Sequence, residues 1–335
     1  MGPADLLRLA AFIARVARFP HGLGPDPSVV ERRDARIADG VACDEYLPCG
    51  QKPRCAAVLV HGMTPNGKAE PRLEHFARAA ARAGVRCLVP HLAGLADCRW
   101  DPADLEDLAD AVRSAAETGP GRPGLVGFSY GASHALLVAA RPDVASLPRF
   151  VLAFGPCRSI RELHEHYRTA WTKAPASDAE RDDRIYARLV LAWRHRETLR
   201  LPAAAREALD DLLRRYCHAA TMAEKQAVHD RYVRDLELPP AEGDDATQAA
   251  FAALSPAGRL SALRCPVSLV HDRHDFVVPS GHSEALFEEL HGLPGGERHR
   301  LLPTTLLQRR ETTAIPPVGE LLRLFGALAP LLGRD

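Results

Sequence analysis

The chain has 335 residues, 26% of them charged and 46% hydrophobic, which is long and apolar enough for a large buried core. Its 43 Lys and Arg balance 43 Asp and Glu, for a formal net charge of +0. That balance excludes electrostatic capture of nucleic acid, and no like-charge block marks an interaction tail. No run of 18 apolar residues is present, so no transmembrane helix is expected.

The first segment, residues 1–25, contains DLLRLAAFIARVARF over 5–19. At 100° per residue Arg8, Arg15 and Arg18 fall on one face with Leu and Phe opposite, an amphipathic helix. Its internal arginines are wrong for a signal peptide. The helix is expected to pack on its own domain; peripheral contact with a membrane surface is the alternative.

From residue 55 to about 150, short apolar runs alternate with helical patterns. AAVLVHG, VRCLVP, GLVGFSYG and RFVLAFGP read as strands. Between them PRLEHFARAAARAG, DPADLEDLADAVRSAAE and ASHALLVAA read as helices, the second with Asp101 as N-cap and Pro102 at the first helical position. This β-α-β-α rhythm is the signature of an α/β fold with a mostly parallel sheet covered by helices. The rhythm stops near 158. Residues 159–253 are rich in Arg, Ala, Leu and Glu at helical spacing, and read as an inserted cap of four or five helices. Strand character resumes at CPVSLVHDRHDFVVP (265–279), followed by a helix, a PGG turn, a strand near 298–305 and a final helix. The expected organisation is therefore a core of 26–158 and 254–335 with a helical lid at 159–253.

Eight cysteines (43, 49, 55, 87, 98, 157, 217 and 265) show no C-x-x-C and no spacing with histidine that would hold a metal. Buried, reduced thiols in a cytoplasmic protein are the expectation, with no metal site.

Gly127-Phe128-Ser129-Tyr130-Gly131 matches G-x-S-x-G between a strand and a helix, which would project Ser129 Oγ from the top of the sheet. His61-Gly62-Met63 ends an earlier strand, before T-P-N-G. The backbone amides of Met63 and Tyr130 are the candidate oxyanion donors, and His61 reads as structural. Asp275, just beyond the strand CPVSLV, is placed where an acid orients a histidine, with Asp272 second.

With LVHGMTPNGKAEPR, RAGVRCLVPHLAGL, LVGFSYGASHALL and LSPAGRLSALRCPVSLVHDRHDFVVP, the sequence resembles the α/β-hydrolase superfamily, in particular bacterial serine esterases related to dienelactone hydrolases. The resemblance covers roughly 40–155 and 254–311; the insertion carries none of it. It implies Ser129 as nucleophile, Asp275 as acid, Met63 and Tyr130 as the oxyanion hole, no cofactor, and a small ester or acyl compound as ligand.

One position departs from that pattern. The family places its histidine in a loop after the last strand, where this chain has Arg309, and the last histidine of the sequence is His299. Arginine has a pKa above 12 and no acceptor lone pair, so it cannot be the base; beside Asp275 it would form an ion pair. His274 and His299 are the candidate replacements by position, with His91, His164, His166 and His271 also at strand tops or in the insertion. Two functions stay open on the sequence: a serine hydrolase of carboxylic esters or thioesters, and a degenerate, non-catalytic relative that binds a small ligand.

Overall fold

A computed structural model describes residues 3–16, 28–37, 40–170, 178–194, 196, 202–236, 245–275, 277–305 and 318–332. Arg18 and Arg309 lie outside them. An eight-stranded sheet runs in the order β1-β2-β4-β3-β5-β6-β7-β8. Its strands are β1 (Val29–Ile37), β2 (Val41–Pro48), β3 (Cys55–Val60), β4 (Val85–Pro90), β5 (Gly124–Phe128), β6 (Phe150–Phe154), β7 (Val267–Asp272) and β8 (Arg300–Thr304). β1 and β2 pair antiparallel and β2 joins β4 antiparallel; every other pairing is parallel.

The six parallel strands follow from their composition. CAAVLV in β3 is buried at every position, as a strand covered on both faces must be. The sequence reading starts the strand rhythm at 55 and leaves β1 and β2 out. The reason lies in VVERRDARI: β1 is an edge strand with five charged residues, half-exposed along most of its length. Such a strand has little apolar alternation to signal it. It is held instead by an ion-pair network in which Arg33 reaches Asp44 (2.7 Å) and Glu74 (2.6 Å), and Arg78 reaches Glu31 (2.5 Å).

Two apolar layers flank the sheet. On one face α1 (Pro3–Val16), α2 (Pro71–Arg82) and α12 (Val318–Leu332) bury Leu9, Phe12, Phe76 and Leu331 against Leu59, Val126 and Leu152. Helix α1 packs on α2 and α12, with Phe12 edge-on to Phe76 at 5.2 Å, while Leu6 and Leu7 face outward. On the other face α4 (Ala103–Thr118) and α5 (Tyr130–Ala139), with the short α3 (Ala93–Ala96) beside them, bury Leu95, Leu108, Val112, Ala135 and Leu136. Burial of each such Leu or Val is worth ~1.5–3 kcal/mol. α4 begins one residue later than its sequence suggests. Pro102 is the capping residue, and Asp101 Oδ1 accepts from Ala103 N at 3.0 Å.

Between β6 and β7 lie α6 (Ile160–Ala170), α7 (Asp178–Arg194), α8 (Ala203–His218), α9 (Met222–Leu236) and α10 (Asp245–Ala253). α7, α8 and α9 pack around their own core of Ile185, Leu189, Leu209, Leu212, Tyr216 and Tyr232. α6 and α10 instead join the main core through Ile160, Leu163 and Phe251. The two ends of the insertion are fastened together: Ala257 N donates to Arg158 O (3.1 Å) and Ile160 N to Ser255 Oγ (3.0 Å). α11 (Gly281–His291) then covers β7 and β8. Among the described residues no helix is long and apolar enough to cross a membrane. Cys87 and Cys157 are fully buried, and burial pushes both thiols well above their usual range.

Candidate active site

Ser129 sits between β5 and α5 with φ 54° and ψ −127°, a left-handed backbone that a residue with a Cβ adopts only under constraint. The constraint is visible on all sides. Ser129 N donates to Phe154 O at 2.7 Å, and Ser129 O accepts from Ala132 N at 2.9 Å. A Cβ on Gly127 would come within 2.5 Å of Ala132 Cα, and one on Gly131 would overlap the backbone of His61. The two flanking glycines of the motif are thus required by close approach, and their absence of side chain lets the turn close over β3.

The loop after β3 lies directly against this turn: a Cβ on Gly62 would meet Ser129 Cβ at 3.3 Å and Phe128 O at 3.2 Å. Met63 follows in that loop with its side chain buried, and Tyr130 supplies the first amide of α5, which no turn of the helix can satisfy. His61 is structural. Its Nδ1 donates to Gly62 O (2.8 Å) and its Nε2 accepts from Leu92 N (3.1 Å), which fixes one neutral tautomer. Burial lowers its pKa to about 4.

Asp275 reaches the same end of the sheet from β7. Its Oδ1 accepts from Val277 N (2.8 Å) and Val278 N (2.9 Å). Its Oδ2 faces Gly155, where a Cβ would stand 3.3 Å away and φ is +58°. The Phe154–Gly155 peptide therefore runs between the two expected site residues, bonded to Ser129 on one side and abutting Asp275 on the other. Asp272 serves the turn, its Oδ1 accepting from His274 N at 2.9 Å.

Among the described residues, the candidate histidines have partners other than Ser129 or exposed side chains. His274 has an exposed side chain. His299 stands at the amino end of β8, opposite the serine end of the sheet, and its Nδ1 accepts from Val267 N at 3.1 Å. His271 is fully buried: Nε2 donates to Val278 O (2.7 Å), Nδ1 meets Ser283 Oγ (2.6 Å), and Asp275 Oδ2 is 3.6 Å from Nε2. His282 accepts from Arg158 N at 3.2 Å, and burial holds its pKa near 4. His91 lies against the 67–69 turn, its ring 6.1 Å from that of His61. His164 packs edge-on to Phe251 at 4.8 Å, and its exclusion from solvent lowers its pKa to about 4. His166 is exposed on α6. Among the described residues, none takes a hydrogen bond from Ser129 Oγ. Nor does any group of three His, Cys, Asp or Glu side chains among them form a metal cage.

Three features of the site were not singled out in the sequence. Trp100 stands edge-on to Tyr130 (4.7 Å) and to Phe251 (5.7 Å), so an aromatic wall links the residue after the serine to the insertion. His134 is buried in α5 with Nδ1 donating to Tyr130 O at 2.9 Å, and burial again brings its pKa to about 4. Asp104 is buried in the first turn of α4, its two oxygens accepting from Gly94 N (2.9 Å) and Leu95 N (2.8 Å). Only Asp104 left a legible trace, as an acid in a first turn; the aromatic wall joins segments far apart in the chain.

A model of the alpha/beta hydrolase family matches residues 57–305. No curated protein sequence matches the chain. Among solved structures, an esterase of Pyrococcus furiosus is similar at 13% identity and a TM-score of 0.51, over 91% of each chain. A puromycin-hydrolyzing peptidase of Mycobacterium tuberculosis is similar at 16% identity and a TM-score of 0.51, over 93% of this chain and 41% of that one. An acylaminoacyl peptidase of Pyrococcus horikoshii is similar at 14% identity and a TM-score of 0.47, over 82% of this chain. The chain spans about a third of the length of that peptidase, 36%.

Proposed function

Because the chain belongs to the alpha/beta hydrolase family, we propose that it is a serine hydrolase acting on a small carboxylic ester or thioester. The observation that carries this reading is the backbone of Ser129. A left-handed serine costs ~1–3 kcal/mol, and the close approaches of Gly62, Gly127 and Gly131 hold it there. Strain of this kind at the mouth of a sheet serves a nucleophile. In the proposed reaction Ser129 Oγ attacks the acyl carbon, and the amides of Met63 and Tyr130 receive the oxyanion. The alcohol or thiol leaves, and water then releases the acid and restores the serine. The serine proton passes to the leaving alcohol or thiol, and Asp275, with Oδ1 held by two amides, places its negative charge at this end of the sheet, where it favours a relay that carries the proton as a cation.

A second reading has its own support: the missing histidine. Position 309 is arginine and no described histidine bonds to Ser129 Oγ. An elbow and oxyanion hole without a base retain only ~10³–10⁴ of acceleration over water. On this reading the protein holds an acyl ligand without turning it over.

A fluorophosphonate probe separates the two, applied to the wild type and to Ser129→Ala. Labelling that disappears in the variant means an activated serine and supports the hydrolase. A folded wild type that does not label overturns it in favour of the binding protein.

A further inference from the structure

The loop after β4 is bolted to the loop that carries Met63. Leu92 N donates to His61 Nε2, and Thr64 N donates to Leu95 O at 3.1 Å. Leu95 belongs to α3, a helix of four residues too short to hold itself. What holds it is Asp104, reaching across from α4 with one carboxylate oxygen on Gly94 N and the other on Leu95 N. The fit is tight: a Cβ on Gly94 would stand 2.6 Å from Asp104 Oδ2 and from Asp101 Cβ. The same loop carries Trp100, the centre of the aromatic wall beside Tyr130.

We propose that Asp104 is a positioning residue for the oxyanion loop. Its carboxylate fixes α3, the Leu95 carbonyl fixes Thr64, and Thr64 fixes the neighbouring Met63 amide against the Ser129 turn. The catalytic part of this role rests on the hydrolase reading above; the mechanical part does not.

Each carboxylate oxygen accepts from one amide, so an Asn side chain at this position would turn an N–H₂ toward one of them. Burial raises the Asp104 pKa to about 6, with Asp101 and Asp107 adding repulsion and the two amides opposing it. α3 itself carries no charge, and Lys68 on the 67–69 turn packed against it is engaged by Asp34 (2.8 Å) and Asp44 (2.6 Å).

The test is amide hydrogen exchange of the peptide spanning 61–68 in wild type, Asp104→Asn and Gly94→Ala, at pH 7. Both variants are expected to exchange there about tenfold faster, with peptides of α7–α9 unchanged. Either variant alone reads the clamp, one from the carboxylate and one from the loop it holds, which keeps the test open if the other does not fold. Wild-type protection in a folded Asp104→Asn or in a folded Gly94→Ala overturns the proposal. Fluorophosphonate labelling run in parallel reads the hydrolase separately. A labelling wild type, a slowed Asp104→Asn and recovery of the rate in Asp104→Glu extend the role to catalysis. Absence of labelling in the wild type sinks the hydrolase and leaves the exchange result standing.

Discussion

Gly131 and His61 touch through bare backbone: the Cα of the glycine lies so near the His61 carbonyl that any side chain would overlap it. That contact seats the first turn of α5 on the end of β3 and brings the Tyr130 amide beside the loop holding Met63. Gly131→Ala should therefore cost more than a helix substitution ordinarily does, about 2–4 kcal/mol by overpacking, despite alanine's better propensity. Urea denaturation of Gly131→Ala against Gly281→Ala gives the comparison. Gly281 has open space around it, and its variant should be neutral or slightly more stable.

Arg309→His puts an imidazole where the family keeps its base. If Ser129 and Asp275 still form a working pair, ester hydrolysis should rise by roughly 10²-fold or more. The rise must vanish in the double variant with Ser129→Ala. An unchanged rate would mean that position 309 is not the one facing the serine.

Acid should destabilise the fold well before the carboxylates titrate. His61, His134, His164 and His282 each have pKa values brought down by burial to about 4. In the unfolded chain they titrate near 6.5, so unfolding takes up protons between those values. Stability conferred by the neutral rings is complete above about pH 6.5 and is lost as pH falls toward about 4. Asp104 works in the opposite sense: its raised pKa makes the fold gain stability as pH falls through about 6. Burial also lowers the pKa of His299 and raises that of Asp107, so the histidines still outnumber the acids and dominate. The free energy of unfolding should drop by at least ~2 kcal/mol between about pH 6.5 and 5, measured by urea titration at each pH.

Ser255 Oγ is shared between the two ends of the insertion, accepting from Ile160 N and donating to Phe251 O at 2.6 Å. Ser255→Ala strands a buried amide and should cost about 1–3 kcal/mol. Hydrogen exchange should localise the loss to α6 and α10 rather than to the sheet.

The alternation of apolar runs and helical patterns was enough to read six strands and their parallel arrangement, because strands buried on both faces are continuous stretches of Val, Leu and Ala. The G-x-S-x-G turn was readable for a similar reason: its demands are local, two glycines and a serine between a strand and a helix. β1 and β2 escaped because their stability comes from Arg33, Arg78 and their acidic partners, contacts that span up to 47 positions and leave no period in the sequence.

For the site, sequence alone determined which chemical groups exist: one serine in an elbow, one acid after β7, and no histidine after position 299. Tertiary structure alone decided which groups meet. It placed the Phe154–Gly155 peptide between Ser129 and Asp275, set His299 at the far end of the sheet, tied His61 and His271 into buried hydrogen bonds, and stood Trp100 against Tyr130. The physical reason is that a residue's type is carried by the chain, whereas proximity, burial and the protonation that burial imposes arise only when distant segments share one low-dielectric interior.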